Sequence, residues 1–547
     1  MDFILNNMPP IMFVTLIGLL LMGFPVAFSL AANGLLYCFL GIATGAFSFA
    51  FLQALPERIF GIVANDSLLA VPFFTLMGLV LERSKMAEDL LETIGQIFGS
   101  LRGGLAIAVV IVGAMLAATT GVVSASVISM GLISLPIMLR YQYNRSIATG
   151  VIAASGALSQ IIPPSLVLIV LADQVGTSVG NMYRGAMLPG LMLAGAYILY
   201  IIFNAIFRPT TVPALPDEHR IYQEPNGSRG VRSLGVLTLV SAVVAYFLDK
   251  WLMDSSAPLD QRVVTSLLLW GIVAFVFALL NRFLKLGFLS KLAERSVFVM
   301  IPPLFLIFLV LGTIFIGIAT PTEGGAMGAV GAIILATLRK RLNFDLLQQA
   351  MSTTARITSF CMFILVGSTI FTLTFTGFGG QVWVEHLFSS LPGGVYGFLI
   401  VVSIVIFFLA FFLDFFELAF IVVPLLAPVA QSMGIDLVWF GILIAINMQT
   451  SFIHPPFGFA LFYLRSVAPK ADYIDSVTGK LIKRISTGDI YKGAIAFIVI
   501  QLLMVLIVMF IPSVVTHYKD DAPKIDPNTI QIEQPVNDYN TDAGDFF

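Results

Sequence analysis

Asp414 and Glu417 stand three residues apart in the run FFLDFFELAF, with apolar side chains on both sides. An ionisable residue at membrane depth is costly unless it is paired or hydrated, so function is its default reading. Asp414 is read as a cation or substrate ligand. For Glu417 two readings stay open, the same role or a pairing or interface-reaching one. A second polar set, Asn447, Gln449, Thr450 and Ser451, leads into His454, Pro455 and Pro456, which interrupt an apolar helix. Thr119, Thr120, Gly121, Ser124 and Ser126 make up the small-residue stretch AATTGVVSAS, and Ser159, Pro163, Pro164 and Ser165 frame IIPPS. Oxygen from hydroxyls, carbonyls and carboxylates is what a hard cation such as Na⁺ takes, and amides and hydroxyls also suit a substrate carboxylate. Plainer readings stand beside these. Small residues let a hairpin pack tightly, and prolines kink a helix whatever else they do. His454 has no histidine or cysteine near it in sequence, so it reads as a hydrogen-bonding or pore-lining group rather than a metal ligand. Glu323 in TPTE reads as the cap of the helix that follows.

These residues need long apolar elements to hold them. The chain has 547 residues, 58% hydrophobic and 11% charged, against roughly half apolar and a quarter charged for a soluble domain. That composition is a polytopic all-α membrane protein in a lipid bilayer. A net charge of −2 gives no footing for a nucleic-acid partner. Cys38 and Cys361 both fall in apolar runs, which supports neither a disulfide framework nor a zinc site. The start, MDFILNNMPP, lacks a basic flank, so the first apolar run is expected to remain as a membrane helix.

A spanning helix takes about 20 mostly apolar residues, and short loops rich in Lys and Arg stay in the cytoplasm. Spans are expected near 8–23, 25–43, 67–82, 146–173, 185–206, 233–249, 263–281, 299–319, 322–338, 356–376, 437–465 and 493–514. Loops carrying Arg83, Arg140, Arg208, Arg282, Arg339 and Arg465 then share one side, which puts both termini on the other, the periplasmic side of a bacterial inner membrane. Residues 103–139 and 395–431 do not fit as spans. Each must enter and leave on one side, as a re-entrant hairpin, since irregular backbone at that depth survives only within protein or beside a water-filled cavity. Adding 292 to Pro163 and Pro164 reaches Pro455 and Pro456; the same step takes Pro136 to Pro428 and Ser159 to Ser451. The chain thus repeats a hairpin followed by a broken helix, in opposite orientations. Inverted repeats with discontinuous helices are the pattern of secondary transporters, and the breaks point to the binding site.

At this point the sequence resembles the large membrane subunit of tripartite ATP-independent periplasmic (TRAP) transporters. The resemblance spans most of the chain. It rests on RGGLAIA at Arg102, IIPPS at Ile161, MYRGAMLPG at Met182, ATPTEGGAMGA at Ala319, FFLDFFELAFIVVPLLAPV at Phe411, and GIDLVWFGI followed by HPPFGFALF. It implies an elevator-type importer driven by Na⁺, with no cofactor besides that coupling ion. It also implies a small membrane subunit of about four helices, a soluble periplasmic substrate-binding protein, and a small organic-acid substrate. Hairpins and broken helices would form the mobile unit, at 103–208 and 395–470. Scaffold and arm helices would occupy 1–102 and 299–394. A cytoplasmic amphipathic segment and the last span would fill 471–514, before an acidic periplasmic tail at 515–547.

Three departures stand out. Where many members read SGSAVAD, this chain reads TGVVSAS from Thr120, so the family's aspartate falls at Ser126 and its second serine at Val122. The common TPP reads HPP, with His454 first. Residues 209–298 are longer than usual and are expected to add two spans outside the repeat. Other classes fare worse. An intramembrane enzyme finds neither HExxH nor a Ser/His pair on facing helices, and the permease of an ATP-driven importer would need its Walker A motif on a partner, since none is present here. A stand-alone Na⁺- or proton-coupled organic-anion carrier of similar design is the main rival; genes for a small membrane subunit and a binding protein nearby would separate the two.

Overall fold

The computed structural model describes residues 7–120, 123–216, 224, 230–252, 259–389, 391–411, 413–456, 458–475 and 477–519. Helices account for nearly all of it. The N-terminal set is α1 (Met8–Leu21), α2 (Val26–Ala43), α3 (Ala54–Val63), α4 (Ala70–Arg83) and α5 (Met86–Phe98). The first hairpin is α6 (Gly104–Thr120) and α7 (Val123–Arg140), and the first broken helix is α8 (Arg145–Ala157) and α9 (Leu166–Val175). Next come α10 (Val179–Phe207), α11 (Val231–Leu252), α12 (Leu259–Phe283), α13 (Lys291–Ile316), α14 (Pro321–Leu338), α15 (Phe344–Gly377) and α16 (Gly380–Ser389). The second hairpin is α17 (Gly394–Leu409), α18 (Phe415–Ile421) and α19 (Val423–Ser432), followed by the broken helix α20 (Leu437–Ile453) and α21 (Phe459–Val467). A ribbon of β1 (Tyr473–Ile474) and β2 (Leu481–Ile482) leads to α22 (Thr487–Phe510) and α23 (Ser513–Thr516).

Among the described residues, eight helices are long and apolar enough to cross a membrane: α2 and α10 to α15, with α22. The other four expected spans are built from shorter pieces. α1 and α4 have 14 residues each, and the segments at 146–173 and 437–465 are each split into two helices. Length alone passes these four over: α1 and α4 are too short, and the other two segments are broken where the prolines stand. The polar stretch after Ala468 folds back as an antiparallel ribbon, with Tyr473 opposite Ile482 and Ile474 opposite Leu481.

Helix ends follow local chemistry. Asn144 accepts the N–H groups of Ser146 and Ile147 to start α8, Asp436 accepts that of Trp439 to start α20, and Ser486 with Asp489 forms a capping box at α22. Gly103 and Gly393 take left-handed backbone at φ +78° and +97°, one at the entry of each hairpin, a conformation other residues rarely adopt.

The two repeats interlock. α9 packs on α18, α19 and α20 of the second repeat, while α21 packs on α7 and α8 of the first. Each broken helix thus lends its second half to the other hairpin. α22 lies along α8 at close range: a Cβ on Gly150 would sit 2.2 Å from the Gly493 carbonyl oxygen, so only glycine permits the approach. On the opposite flank α4 packs against α14 and α15, and α15 against α2. The helices α11 and α12 pack on each other and on α13.

Candidate ion and substrate site

Each break begins where a helix loses donors. Pro163 has no N–H to give the Ser159 carbonyl, and Pro456 none to give the Phe452 carbonyl, so both oxygens are released from the helical ladder. The bonds Pro163–Pro164 and Pro455–Pro456 are both cis. The serines ahead of them behave alike: Ser159 Oγ donates to the Gly156 carbonyl at 2.9 Å, and Ser451 Oγ to the Met448 carbonyl at 2.5 Å. The offset of 292 therefore maps geometry as well as residue type.

The second tip is organised by its own acids. Asp414 Oδ1 accepts the Glu417 N–H at 2.9 Å, and Glu417 Oε2 accepts the Asp414 N–H at 2.8 Å, a reciprocal capping box at the start of α18. Glu417 is thus tied to the tip. Glu323 forms the same motif with Thr320 at α14, as expected of a cap.

A cavity of about 230 Å³ lies between the tips. Ser124 enters it from α7, Gln160 from the first break, Asp414 from the second tip, and Tyr463 from α21; Ile357 and Phe360 of α15 close one wall. Phe415, Phe416, Phe452 and Phe459 supply apolar lining. Its lining includes one carboxylate and no Lys, Arg or His among the described residues.

The remaining expected site residues fall nearby in the chain without lining this cavity. Ser165 is buried, its Oγ donating to the Gln160 carbonyl at 2.8 Å, which ties the residue after the prolines to the one before them. Asn447 Nδ2 donates to the Ser403 carbonyl at 2.7 Å, clamping α20 to α17. Thr450 Oγ1 donates to the Asn447 carbonyl at 2.6 Å. Gln449 is fully buried, and neither of its amide atoms has a hydrogen-bond partner among the described residues. His454 stands edge-on to Phe407 and Phe411, with centroids 4.9 and 4.7 Å away, and its Nδ1 is buried without a partner among the described residues. Ser126 is buried in α7. Thr119 and Thr120 end α6, but their side chains and all of Gly121 lie outside the described residues. No three His, Cys, Asp or Glu side chains converge among the described residues as a transition-metal site requires.

Gln160, Tyr463 and the phenylalanines of the lining were not anticipated. For Gln160 a signal existed: an amide beside a helix break in an otherwise apolar run, its Oε1 here buried without a partner among the described residues. Tyr463 and the rings carry no such mark, since aromatic residues recur through most of the spans.

Two hairpins, two broken helices and a small cavity between the tips are the architecture of a secondary membrane transporter. Residues 13–514 match the family described as "Tripartite ATP-independent periplasmic transporter, DctM component", and the chain belongs to that family. The C4-dicarboxylate TRAP transporter large permease protein DctM of Pseudomonas aeruginosa is 26% identical over 464 residues, covering 85% of this chain and 88% of that one. Its counterpart in Vibrio cholerae is 26% identical over 528 residues, 92% and 96% of the two chains. The ectoine TRAP transporter large permease protein TeaC of Halomonas elongata is 25% identical over 528 residues, 94% of this chain and 100% of that one. Among solved structures, the YdaH transporter of Alcanivorax borkumensis superposes with a TM-score of 0.49 at 14% identity, covering 84% of this chain and 88% of that one.

Proposed function

We propose that this chain is the permease of an ATP-independent, Na⁺-coupled importer of a small organic acid, handed over by a periplasmic binding protein and carried by an elevator movement. Membership of the TRAP family supports the tripartite arrangement, with a small membrane subunit as the second partner. The relatives named for C4-dicarboxylates support an organic acid as cargo.

One observation carries the ion coupling. The cavity between the tips presents Asp414 and no cationic side chain among its described lining. A carboxylate substrate brought beside an existing carboxylate is repelled strongly where water is scarce. A co-bound cation offsets both charges, and the oxygens of Ser124, Asp414 and the released carbonyls are of the type Na⁺ prefers. Cation and anion thereby favour each other's binding, which is the thermodynamic content of coupling.

The test is uptake by the complete three-component system in liposomes. An inward Na⁺ gradient with binding protein and no ATP should drive accumulation. Equal accumulation in Na⁺-free buffer at matched pH and potential would rule the coupling out.

A further inference from the structure

A second cavity, sharing no lining residue with the one between the tips, lies where the added helix α12 meets α13 and α14. A groove of about 420 Å³ runs between α12, α13 and α14, bounded by Ile272 and Phe275, Pro302 and Phe305, and Gly331 and Ile334. Every residue of its lining is apolar or glycine, and Ile272, Phe305 and Ile334 remain exposed on the face a membrane would cover. All three helices place an arginine at the same end of this groove. Arg282 closes α12, Arg295 lies in the opening turns of α13, and Arg339 follows α14.

Direct contacts join that end to the groove wall. The Phe275 ring meets Phe298 edge-on at 5.4 Å, the Arg282 guanidinium lies 5.3 Å over the Phe298 ring, and Arg339 donates to the Phe298 carbonyl at 2.6 Å. Asp89 is shared by Arg295, Arg339 and Arg341 at 3.5, 3.0 and 3.1 Å, and Glu294 sits 3.7 Å from Arg282. Four guanidinium groups thus face two carboxylates in this ion-paired set. The surplus is positive, and the heads of Arg282 and Arg295 are the exposed ones, at 67% and 42%.

We propose that this is a binding site for an anionic glycerophospholipid, with the phosphate on Arg282 and Arg295 and one acyl chain in the groove. A basic pocket between membrane helices favours anionic headgroups, and the apolar groove supplies what a free anion cannot use. Charge complementarity selects lipid over a partner helix as the occupant, since a partner helix would not by itself need the surplus charge.

The full-length protein, stripped of lipid in neutral detergent, is titrated with dioleoyl phosphatidylglycerol or dioleoyl phosphatidylcholine and read by native mass spectrometry. Phosphatidylglycerol should be retained about tenfold more tightly. Arg282→Gln with Arg295→Gln should bring it down to the phosphatidylcholine level, and Ile334→Trp, which fills the groove, should weaken both lipids. Each variant's melting temperature without lipid verifies its fold. Equal retention of the two lipids would overturn the proposal, as would indifference to the arginine pair. Full competition by millimolar inorganic phosphate would make the site a free-anion site and also overturn it. So would a photo-crosslinker at Ile272 that captures a small-subunit helix instead of lipid in the assembled complex.

Discussion

Asp414 does two things at the second tip: it caps α18, and it presents a carboxylate to the cavity. Asparagine caps a helix about as well as aspartate, so Asp414→Asn removes charge and keeps the helix start. A lost oxygen ligand at this depth costs about 1–3 kcal/mol, which is roughly 5- to 150-fold in apparent affinity. Asp414→Asn and Ser124→Ala should raise the Na⁺ concentration for half-maximal uptake by that factor, with expression intact. Glu323→Gln is the control, because Glu323 closes an exposed cap at Thr320 and should leave that value unchanged. Uptake by both site variants with the original Na⁺ dependence would remove them from the site.

Gln449 gives a sharper contrast. Its amide is fully buried with no partner among the described residues, a state that costs stability unless a ligand completes it. Gln449→Met should therefore keep or raise the melting temperature while uptake falls; unchanged uptake would make it a core residue. Gln449 and Asp414 stand out in the sequence because polar groups are scarce in apolar runs. The D-x-x-E pattern of Asp414 and Glu417, a local capping-box signature of the kind legible at Glu323, was not anticipated. Tyr463 was out of reach for a different reason. It meets Ser124 and Asp414 only through folding, from separate helices.

The broken helices were the most legible elements, since a proline pair removes two hydrogen-bond donors wherever it falls. The offset from Pro163 to Pro455 therefore carried over to matching breaks and matching serine bonds. The exchange of second halves, with α9 on the second hairpin and α21 on the first, was not legible, because apolar faces specify burial and not partner. The ribbon after α21 was missed for want of length, having two residues in each strand. It is anchored by Asp475, which accepts from the Thr478 hydroxyl and N–H and pairs with Arg140 at the end of α7. Those donors, the Thr478 hydroxyl foremost, hold the Asp475 carboxyl below the usual range. A group whose folded-state pKa is lowered contributes stability above its unfolded pKa and loses it as pH falls through the folded one. Its contribution to thermal stability should be level from pH 7 to about 5 and fade below about 4. Asp475→Asn should lower the melting temperature at pH 7 and narrow its gap to wild type in acid. A gap that does not change with pH would show that the charge is not what anchors the ribbon.

At the scale of the whole molecule, an elevator requires the interlocked repeats to move against the helices around α2, α4 and α15. A contact across that boundary must then break in each cycle. Asn65, just ahead of α4, donates to Asp173 near the end of α9 at 2.6 Å. Asp173 belongs to the first broken helix, whereas Asn65 lies in the N-terminal set. Both native cysteines, Cys38 and Cys361, are buried, which leaves engineered thiols to react alone. The most direct measurement is Na⁺-driven uptake by the Asn65→Cys, Asp173→Cys variant, assembled with its partners, before and after disulfide formation. Oxidation should reduce uptake to background and reductant should restore it. Full uptake with the disulfide quantitatively formed would contradict the elevator account.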